Sequence, residues 1–244
     1  MKLTIIGYWG AYPEKNAATS AYLLEEENFT LLIDCGSGCL SQLQNYIDLS
    51  DLDALILSHY HHDHIADVGS LQYNMLINKH LGKKQEVFPI YGHSKDTDQF
   101  ERLTFRDVTK GFEIAAGMDL KIGPWEVSFC ETVHPAPCLA MRISNGEKHL
   151  VYTGDTYWCD ELVPFTKEAD LLLCEASLYK SDYAHLSGHS TPEFAGSLAK
   201  QAQVEKLILT HLPHFGDHQE LLRMAKEEFS GSVHLAKSGL TVEL

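Results

Sequence analysis

The stretch Leu55-Ile56-Leu57-Ser58-His59-Tyr60-His61-His62-Asp63-His64 joins a short apolar run to four histidines and an aspartate. The apolar run predicts a buried strand, and the polar side chains follow it directly. Imidazole and carboxylate groups packed this densely are costly to remove from water unless something binds them, and a divalent metal ion is the usual partner. The stretch therefore predicts a metal site at the end of a strand.

A second stretch, Leu207-Ile208-Leu209-Thr210-His211, nearly repeats Leu55 to His59 in the other half of the chain. Each half thus offers a buried strand with a histidine at its carboxyl end, where ligands gather in layered α/β proteins. Asn145-Gly146 between two apolar runs predicts a hairpin, and hence antiparallel pairing. The order of elements therefore favours an α/β fold of two mixed sheets with helices outside over a doubly wound parallel sheet.

Local patterns predict strands and helices along the whole chain. Thr191 followed by Pro192, and Asp217 followed three residues later by Glu220, predict two helix starts. A short helix is expected to carry Leu40, Leu43 and Ile47 on one face. We expect strands over 2–6, 19–24, 29–33, 55–57, 87–91, 148–152, 171–174 and 207–210, and helices over 66–80, 96–105, 191–203 and 218–229.

The composition is that of a globular protein, with 244 residues, 44% hydrophobic and 22% charged, and it predicts a single domain over 1–244. No apolar run approaches the roughly 20 residues that span a bilayer, and the apolar N-terminal run is too short for a signal peptide. Six scattered cysteines without a C-x-x-C pair indicate reduced thiols. We therefore expect a cytoplasmic protein with no membrane partner. The formal net charge of −15 disfavours unspecific contact with nucleic acid.

Seven side chains at strand ends are candidate metal ligands. In an extended segment, residues two apart point the same way, so His59 and His61 can hold one ion together. Asp63 and His64 can reach a second ion. Seven groups are too many for one tetrahedral zinc but fit two ions that share a carboxylate. Taken singly, the later histidines are also compatible with a structural role. His62 is interpreted as a surface or supporting residue and not as a ligand. The seven are His59, His61, Asp63, His64, His134, Asp155 and His211.

The ordered pattern resembles the metallo-β-lactamase superfamily over essentially the whole chain. It comprises H-x-H-x-D-H at 59–64, then His134, then Thr-Gly-Asp-Thr around Asp155, and Leu-Thr-His ending at His211. The resemblance implies a four-layer αβ/βα sandwich of two mixed β-sheets with two divalent metal ions. It places one ion on His59, His61 and His134 and the other on Asp63, His64 and His211, with Asp155 bridging. Histidine at 61, where flavodiiron relatives have glutamate, favours zinc, with manganese as the alternative.

Two further motifs, Cys174-Glu175-Ala176-Ser177 and Gly188-His189-Ser190-Thr191, resemble those of ribonuclease Z and its phosphodiesterase relatives. In that branch the histidine is aimed at the scissile phosphate and the glutamate orients it. Ribonuclease Z also carries a long arm for transfer RNA between its third histidine motif and the bridging aspartate. Here His134 and Asp155 are only 21 residues apart, which leaves no room for the arm. The resemblance therefore favours a small or cyclic phosphodiester over transfer RNA.

The sequence thus predicts a metal-dependent hydrolase, with phosphodiesterase activity through a hydroxide activated by the dinuclear centre. Asp63, His189 and Glu175 are the predicted catalytic residues, with Asp63 as proton acceptor and His189 acting at the leaving oxygen. The alternatives are an acyl hydrolase with the same metals (lactonase, thioesterase or lactamase), a ribonuclease Z-like endoribonuclease, and a protein with a purely structural metal site. His185 and His214 are interpreted as supporting residues, and the resemblance is compatible with a homodimer.

Overall fold

A computed structural model of the chain describes residues 1–180 and 187–244. The chain divides into two compact units, each with one seven-stranded mixed sheet. The N-terminal unit holds Lys2–Ile114 and Lys237–Glu243, and the C-terminal unit holds Ala115–Ala236 with Met1 and Leu244. The predicted α/β class with two mixed sheets is confirmed, whereas the assignment of 1–244 to one domain stays a prediction.

The strands of the N-terminal unit are β1 (Lys2–Gly7), β2 (Ala21–Glu26), β3 (Phe29–Ile33), β4 (Ala54–Ile56), β5 (Phe88–Gly92), β6 (Thr109–Glu113) and β14 (Thr241–Glu243). Their order in the sheet is β14-β1-β2-β3-β4-β5-β6. The pairs from β14 to β3 are antiparallel, and those from β3 to β6 are parallel. The helices are α1 (Cys39–Leu43), α2 (His62–Ile65), α3 (Val68–His80) and α4 (Thr97–Arg102).

The C-terminal unit repeats this plan with strands β7 (Asp119–Ile122), β8 (Trp125–Glu131), β9 (Leu139–Ser144), β10 (His149–Tyr152), β11 (Leu171–Glu175), β12 (Lys206–Thr210) and β13 (Ser232–Leu235). Their order is β13-β12-β11-β10-β9-β8-β7. The pairs from β7 to β10 are antiparallel, and those from β10 to β13 are parallel. Among the residues that the structure describes, the helices of this unit are α5 (Leu162–Thr166), α6 (Pro192–Gln201) and α7 (His218–Glu228).

The central parallel strands are buried along their length. All residues of β4 and of β11 are buried, as expected for parallel strands covered on both faces. On α3, the predicted core-facing residues Val68, Leu71 and Met75 are buried as well. Neighbouring parallel strands end at the same edge of a sheet, so the polar residues that follow them are brought together there. Among the described residues, no helix is both long enough and apolar enough to cross a bilayer.

Both predicted helix starts are confirmed. The Thr191 hydroxyl accepts a hydrogen bond from the N–H of Phe194 at 3.4 Å, with proline at the first helical position. The Asp217 carboxylate accepts from the N–H of Gln219 at 2.9 Å. The predicted hairpin is confirmed too, because β9 and β10 pair in antiparallel register around residues 145–148.

Several element boundaries differ from the sequence prediction. The helix expected over 96–105 ends at Arg102, since the carbonyl of Leu103 accepts the Thr109 hydroxyl at 2.8 Å as the chain turns towards β6. The strand expected over 19–24 begins at Ala21, and α1 ends before Ile47. The helix expected over 66–80 begins at Val68 and is preceded by the one-turn helix α2. Helix α5, five residues long with a proline at its third position, was not predicted from the sequence.

Candidate metal centre and acid pair

Four predicted ligands lie together in the N-terminal unit, immediately after β4. The ring centroid of His59 is 4.7 Å from that of His61 and 4.1 Å from that of His64. The Oδ2 atom of Asp63 lies 3.7 Å from Nε2 of His64. His59 and His64 are fully buried, whereas His61 is exposed. We refer to His59, His61, Asp63 and His64 as the N-terminal cluster.

A fully buried carboxylate, Asp34 at the end of β3, fixes the histidines of this cluster. Its Oδ2 atom accepts hydrogen bonds from Nδ1 of His64 and from the Ser58 hydroxyl, both at 2.8 Å. Since the Ser58 proton is used in this way, the Ser58 oxygen accepts from Nδ1 of His59 at 3.1 Å. With Nδ1–H donating, Nε2 carries the lone pair that coordinates a metal. Asp34 therefore orients His64 directly and His59 through Ser58, and both are predicted metal ligands.

Asp63 is held by the loop that follows β1. Its Oδ2 atom accepts a hydrogen bond from the backbone N–H of Ala11 at 2.8 Å. Ala11 has a left-handed backbone conformation, with φ of 65°, which is uncommon for a residue other than glycine. The bond favours the ionised carboxylate, the form that binds metal or accepts a proton.

Five predicted site residues lie together in the C-terminal unit. Three follow or end neighbouring parallel strands: Asp155 after β10, Glu175 at the end of β11 and His211 after β12. The other two come from loops, His134 after β8 and His189 before α6. From Oδ2 of Asp155, the distances are 3.4 Å to Nε2 of His211, 3.9 Å to Nδ1 of His189 and 4.0 Å to Nε2 of His134. We refer to these five residues as the C-terminal cluster.

The two predicted ligand histidines of this cluster are also anchored through Nδ1. His134 donates from Nδ1 to the carbonyl of Gly188 at 2.9 Å, and Nδ1 of His211 lies 2.7 Å from the Ser177 hydroxyl oxygen. In both residues Nε2 faces the Asp155 carboxylate. When the proton of each imidazole is on Nδ1, Nε2 has the lone pair. The arrangement therefore suits a carboxylate that bridges two histidine-bound ions.

His189 and Glu175 form a hydrogen-bonded pair, which we refer to as the acid pair. Nδ1 of His189 lies 3.1 Å from Oε1 of Glu175, and the same oxygen accepts from the N–H of Thr156 at 2.7 Å. The Glu175 side chain is fully buried, whereas that of His189 is 23% exposed. The His189 ring contacts the rings of His211 and His134, with centroids 5.4 and 5.1 Å away. An imidazole held by a buried carboxylate and open on one side is suited to proton transfer.

The backbone is strained at two of these strand ends. Asp34 and His211 have left-handed backbones with φ of 56° and 52°, which for residues other than glycine costs on the order of 1–3 kcal/mol each. Such conformations persist where the surrounding structure over-determines them, as functional sites do. Aspartate and histidine adopt this conformation more often than most other residues apart from glycine.

The donor set fits divalent metal ions. Imidazole nitrogens and carboxylate oxygens are ligands for zinc and, with more carboxylate, for manganese. Four of the five predicted ligand histidines have Nδ1 bonded to a protein acceptor, so they present Nε2 as metal-binding histidines do. His62 is exposed, and His185 lies outside the described residues.

Three supporting residues were missed in the sequence analysis: Ser58, Ser177 and Gly188. Each lies inside a motif that was recognised for its neighbour, beside His59, Glu175 and His189 respectively. A hydroxyl or a glycine close in sequence to a candidate ligand or catalytic residue was the available signal.

Comparison with known proteins agrees with this geometry. Residues 30–212 match the family described as "Beta-lactamase superfamily domain". The chain is 46% identical over 243 residues to the probable metallo-hydrolase YhfI of Bacillus subtilis, covering 100% of both chains. It is 28% identical over 307 residues to ribonuclease Z of Myxococcus xanthus, covering 100% of this chain and 98% of that one.

Solved structures show the same fold. The crystal structure of the metallo-beta-lactamase fold protein YhfI from Bacillus subtilis superposes with a TM-score of 0.98 at 46% identity, covering 100% of this chain and 99% of that one. The short form of human tRNase Z, at 24% identity, gives 0.79 and covers 100% and 99%. The chain therefore belongs to the beta-lactamase superfamily and is a metallo-hydrolase with the metallo-beta-lactamase fold.

Proposed function

We propose that the protein is a phosphodiesterase that hydrolyses a small or cyclic phosphodiester at a dinuclear metal centre. The proposed ligands are His59, His61 and His134 for one ion and Asp63, His64 and His211 for the other, with Asp155 bridging. Zinc is the favoured metal and manganese the alternative. The donor types, the anchored Nδ1 atoms and the superfamily membership support this ligand set.

The observation that carries the proposal is the pair formed by His189 and Glu175. Hydrolysis of a phosphodiester needs a proton for the oxygen that leaves, and a histidine oriented by a carboxylate can supply it. Here Nδ1 of His189 lies 3.1 Å from a fully buried carboxylate, and the partly exposed ring sits against two predicted ligand histidines. Acyl hydrolysis at such a centre has no comparable need for this pair.

The protein's own residues have separate roles in the proposed reaction. Bound to these donors, two divalent ions would lower the pKa of a water molecule towards about 7 and offset charge on the phosphoryl oxygens. Asp63 accepts the proton that the attacking water loses, and the N–H of Ala11 keeps its carboxylate in place. Glu175 accepts the hydrogen bond from Nδ1–H of His189, so it is the imidazolium form of His189 that carries a second proton, on Nε2, and gives it to the leaving oxygen.

A small substrate is favoured over transfer RNA. The segment between His134 and Asp155 is taken up by β9, β10 and the short loops beside them. It therefore has no residues to spare for an arm that binds transfer RNA. The formal net charge of −15 also opposes a polyanionic partner. The cytoplasmic location and the homodimer stay predictions.

The proposal is tested by substituting the acid. His189→Ala is expected to keep two metal ions per chain by elemental analysis while turnover of bis(p-nitrophenyl) phosphate falls about 100- to 10,000-fold. The control is His234→Ala, because His234 is an exposed residue of β13 in the same unit. Unchanged turnover in His189→Ala would remove His189 from the mechanism, and one ion per chain in the wild type would contradict the dinuclear centre.

The substrate class is tested by parallel assays of linear and cyclic phosphodiesters, a thioester, a lactone, a β-lactam and a precursor transfer RNA. We expect the wild type to turn over phosphodiesters fastest and His189→Ala to lose that activity selectively. Faster turnover of an acyl substrate, insensitive to His189→Ala, would make the protein an acyl hydrolase. Cleavage of the precursor transfer RNA at comparable efficiency would favour an endoribonuclease.

A further inference from the structure

We propose that Ser177 is a positioning residue that joins one metal ligand, His211, to the acid pair of His189 and Glu175. The inference rests on the proposed function, because it assigns His211 as a ligand and His189 as the acid. All four residues belong to the C-terminal unit. The Ser177 hydroxyl lies between the two groups and contacts both.

Three distances define the contacts of the Ser177 hydroxyl. The Ser177 oxygen is 2.6 Å from Oε2 of Glu175, 2.7 Å from Nδ1 of His211 and 3.1 Å from the carbonyl oxygen of His211. A hydroxyl has one proton to donate, and the ionised carboxylate at the shortest distance is the strongest acceptor. Ser177 therefore donates to Glu175 and accepts from Nδ1–H of His211.

This direction of bonding sets the tautomer of His211. With the proton on Nδ1, the lone pair is on Nε2, which lies 3.4 Å from Oδ2 of Asp155 in the proposed site. The opposite tautomer would place an N–H at Nε2, where it would donate to Asp155 and could not bind a metal. A hydrogen-bond acceptor at Ser177 thus keeps His211 in the ligating form.

The same hydroxyl completes the contacts of Glu175. Oε1 accepts hydrogen bonds from the N–H of Thr156 and from Nδ1 of His189, and Oε2 accepts one from the Ser177 hydroxyl. Because the carboxylate is fully buried, an oxygen without a donor would be costly, and the side chain would rotate away from His189 to find one. Ser177 therefore helps to hold the carboxylate in the position that orients the acid.

The N-terminal unit contains the same arrangement. There the Ser58 hydroxyl donates to the buried carboxylate of Asp34 at 2.8 Å and accepts from Nδ1 of His59 at 3.1 Å. A buried carboxylate at a strand end, a serine and a predicted ligand histidine thus occur together in each unit. The recurrence supports a positioning role rather than an incidental contact.

The test uses Ser177→Ala, with Ser177→Thr as the conservative rescue and Ser232→Ala, an exposed serine of β13, as the matched control. Zinc affinity is measured on metal-free protein by competition with a chromogenic chelator at fixed pH. We expect the weaker zinc site to lose about 10- to 100-fold in affinity in Ser177→Ala, the usual effect of removing a partner of a ligand histidine. Ser177→Thr should restore most of it, because threonine keeps the hydroxyl.

The second arm is kinetic. At saturating zinc, Ser177→Ala should lower kcat on bis(p-nitrophenyl) phosphate about 10-fold or more with little change in KM, since the acid acts on the leaving oxygen and not in binding. In a His189→Ala background the same substitution should cost clearly less, because residues acting through one another are not additive.

The outcomes are distinguishable. Wild-type zinc affinity and kcat in Ser177→Ala would overturn the inference, and so would additive kinetic effects with His189→Ala. An equal loss in Ser177→Thr, or a lower melting temperature of the metal-free protein without any change in zinc affinity, would assign Ser177 a structural role only. If the wild type turned over no phosphodiester, the proposed function would fail, while the zinc measurements would still decide the role of Ser177 towards His211.

Discussion

Gly188 offers a sharp test of how the C-terminal cluster is built. Its backbone is left-handed, with φ of 67°, and its carbonyl accepts the hydrogen bond from Nδ1 of His134. A Cβ atom at this position would lie 2.4 Å from Cδ of Pro135, 2.9 Å from Cα of His134 and 3.1 Å from Nδ1 of His134. Gly188→Ala should therefore strain the backbone and displace a predicted metal ligand.

The loss of folding stability in Gly188→Ala has two parts, backbone strain and steric clash. Comparison with a second glycine, Gly117, separates them. Gly117 has a similar φ of 79° in the same unit, but a Cβ there would meet nothing within 4 Å. Gly117→Ala should cost only the left-handed penalty of about 1–2 kcal/mol. Gly188→Ala should lose the same amount plus about 1–3 kcal/mol for the clash. At about 2–4 °C per kcal/mol, its melting temperature should be lower than that of Gly117→Ala by roughly 2–12 °C.

The assay is thermal unfolding of the metal-free variants, followed by zinc titration of the folded proteins. Gly117→Ala should bind zinc like the wild type, whereas Gly188→Ala should bind it more weakly because His134 has moved. If both variants melted at the same temperature and bound zinc alike, the close approach of Gly188 to His134 would not matter and the reasoning would be refuted.

Three further predictions concern packing, charge and metal. Gly36→Ala should fold poorly in an expression and melting test, because its Cβ would lie 2.0 Å from the backbone oxygen of Asp63; a variant with wild-type stability would contradict the observed contact. Burial alone would raise the pKa of Asp170, but hydrogen bonds from Lys148 and the N–H of His149 outweigh it and lower the pKa below its ordinary value of 3.8. Asp170 therefore stabilises the fold above pH 3.8, and this contribution is lost as pH falls through the lowered pKa. In denaturant titrations, Asp170→Asn should be less stable than the wild type at pH 7, and the difference should shrink in acid. A difference in stability that stays constant with pH would argue against this role of Asp170. Removal of metal with a chelator should abolish hydrolysis and lower the melting temperature, and zinc should restore both; full activity in the chelated protein would exclude metal dependence.

Much of the architecture could be predicted from the sequence because periodicity and punctuation are local. The apolar run at 171–174, the helix start at Thr191 and the hairpin at Asn145-Gly146 all appear within a few residues of their predicted places. The predicted end of α4 was wrong, since the Thr109 hydroxyl, from outside the helix, donates to the carbonyl of Leu103 a hydrogen bond that the local pattern does not contain.

The candidate site shows the same division. The order and spacing of histidine and aspartate along the chain determined the superfamily and the predicted ligands, because metal chemistry restricts which residues can serve and the strand order restricts where they occur. The partners of those residues depended on tertiary structure. Ser177 meets His211 across 34 positions and Gly188 meets His134 across 54, distances along the chain over which no sequence period operates. Those long-range hydrogen bonds hold the proton on Nδ1 of His211 and His134 and leave Nε2 able to bind a metal. The tautomers were therefore decided only by the tertiary structure, which brings these residues together.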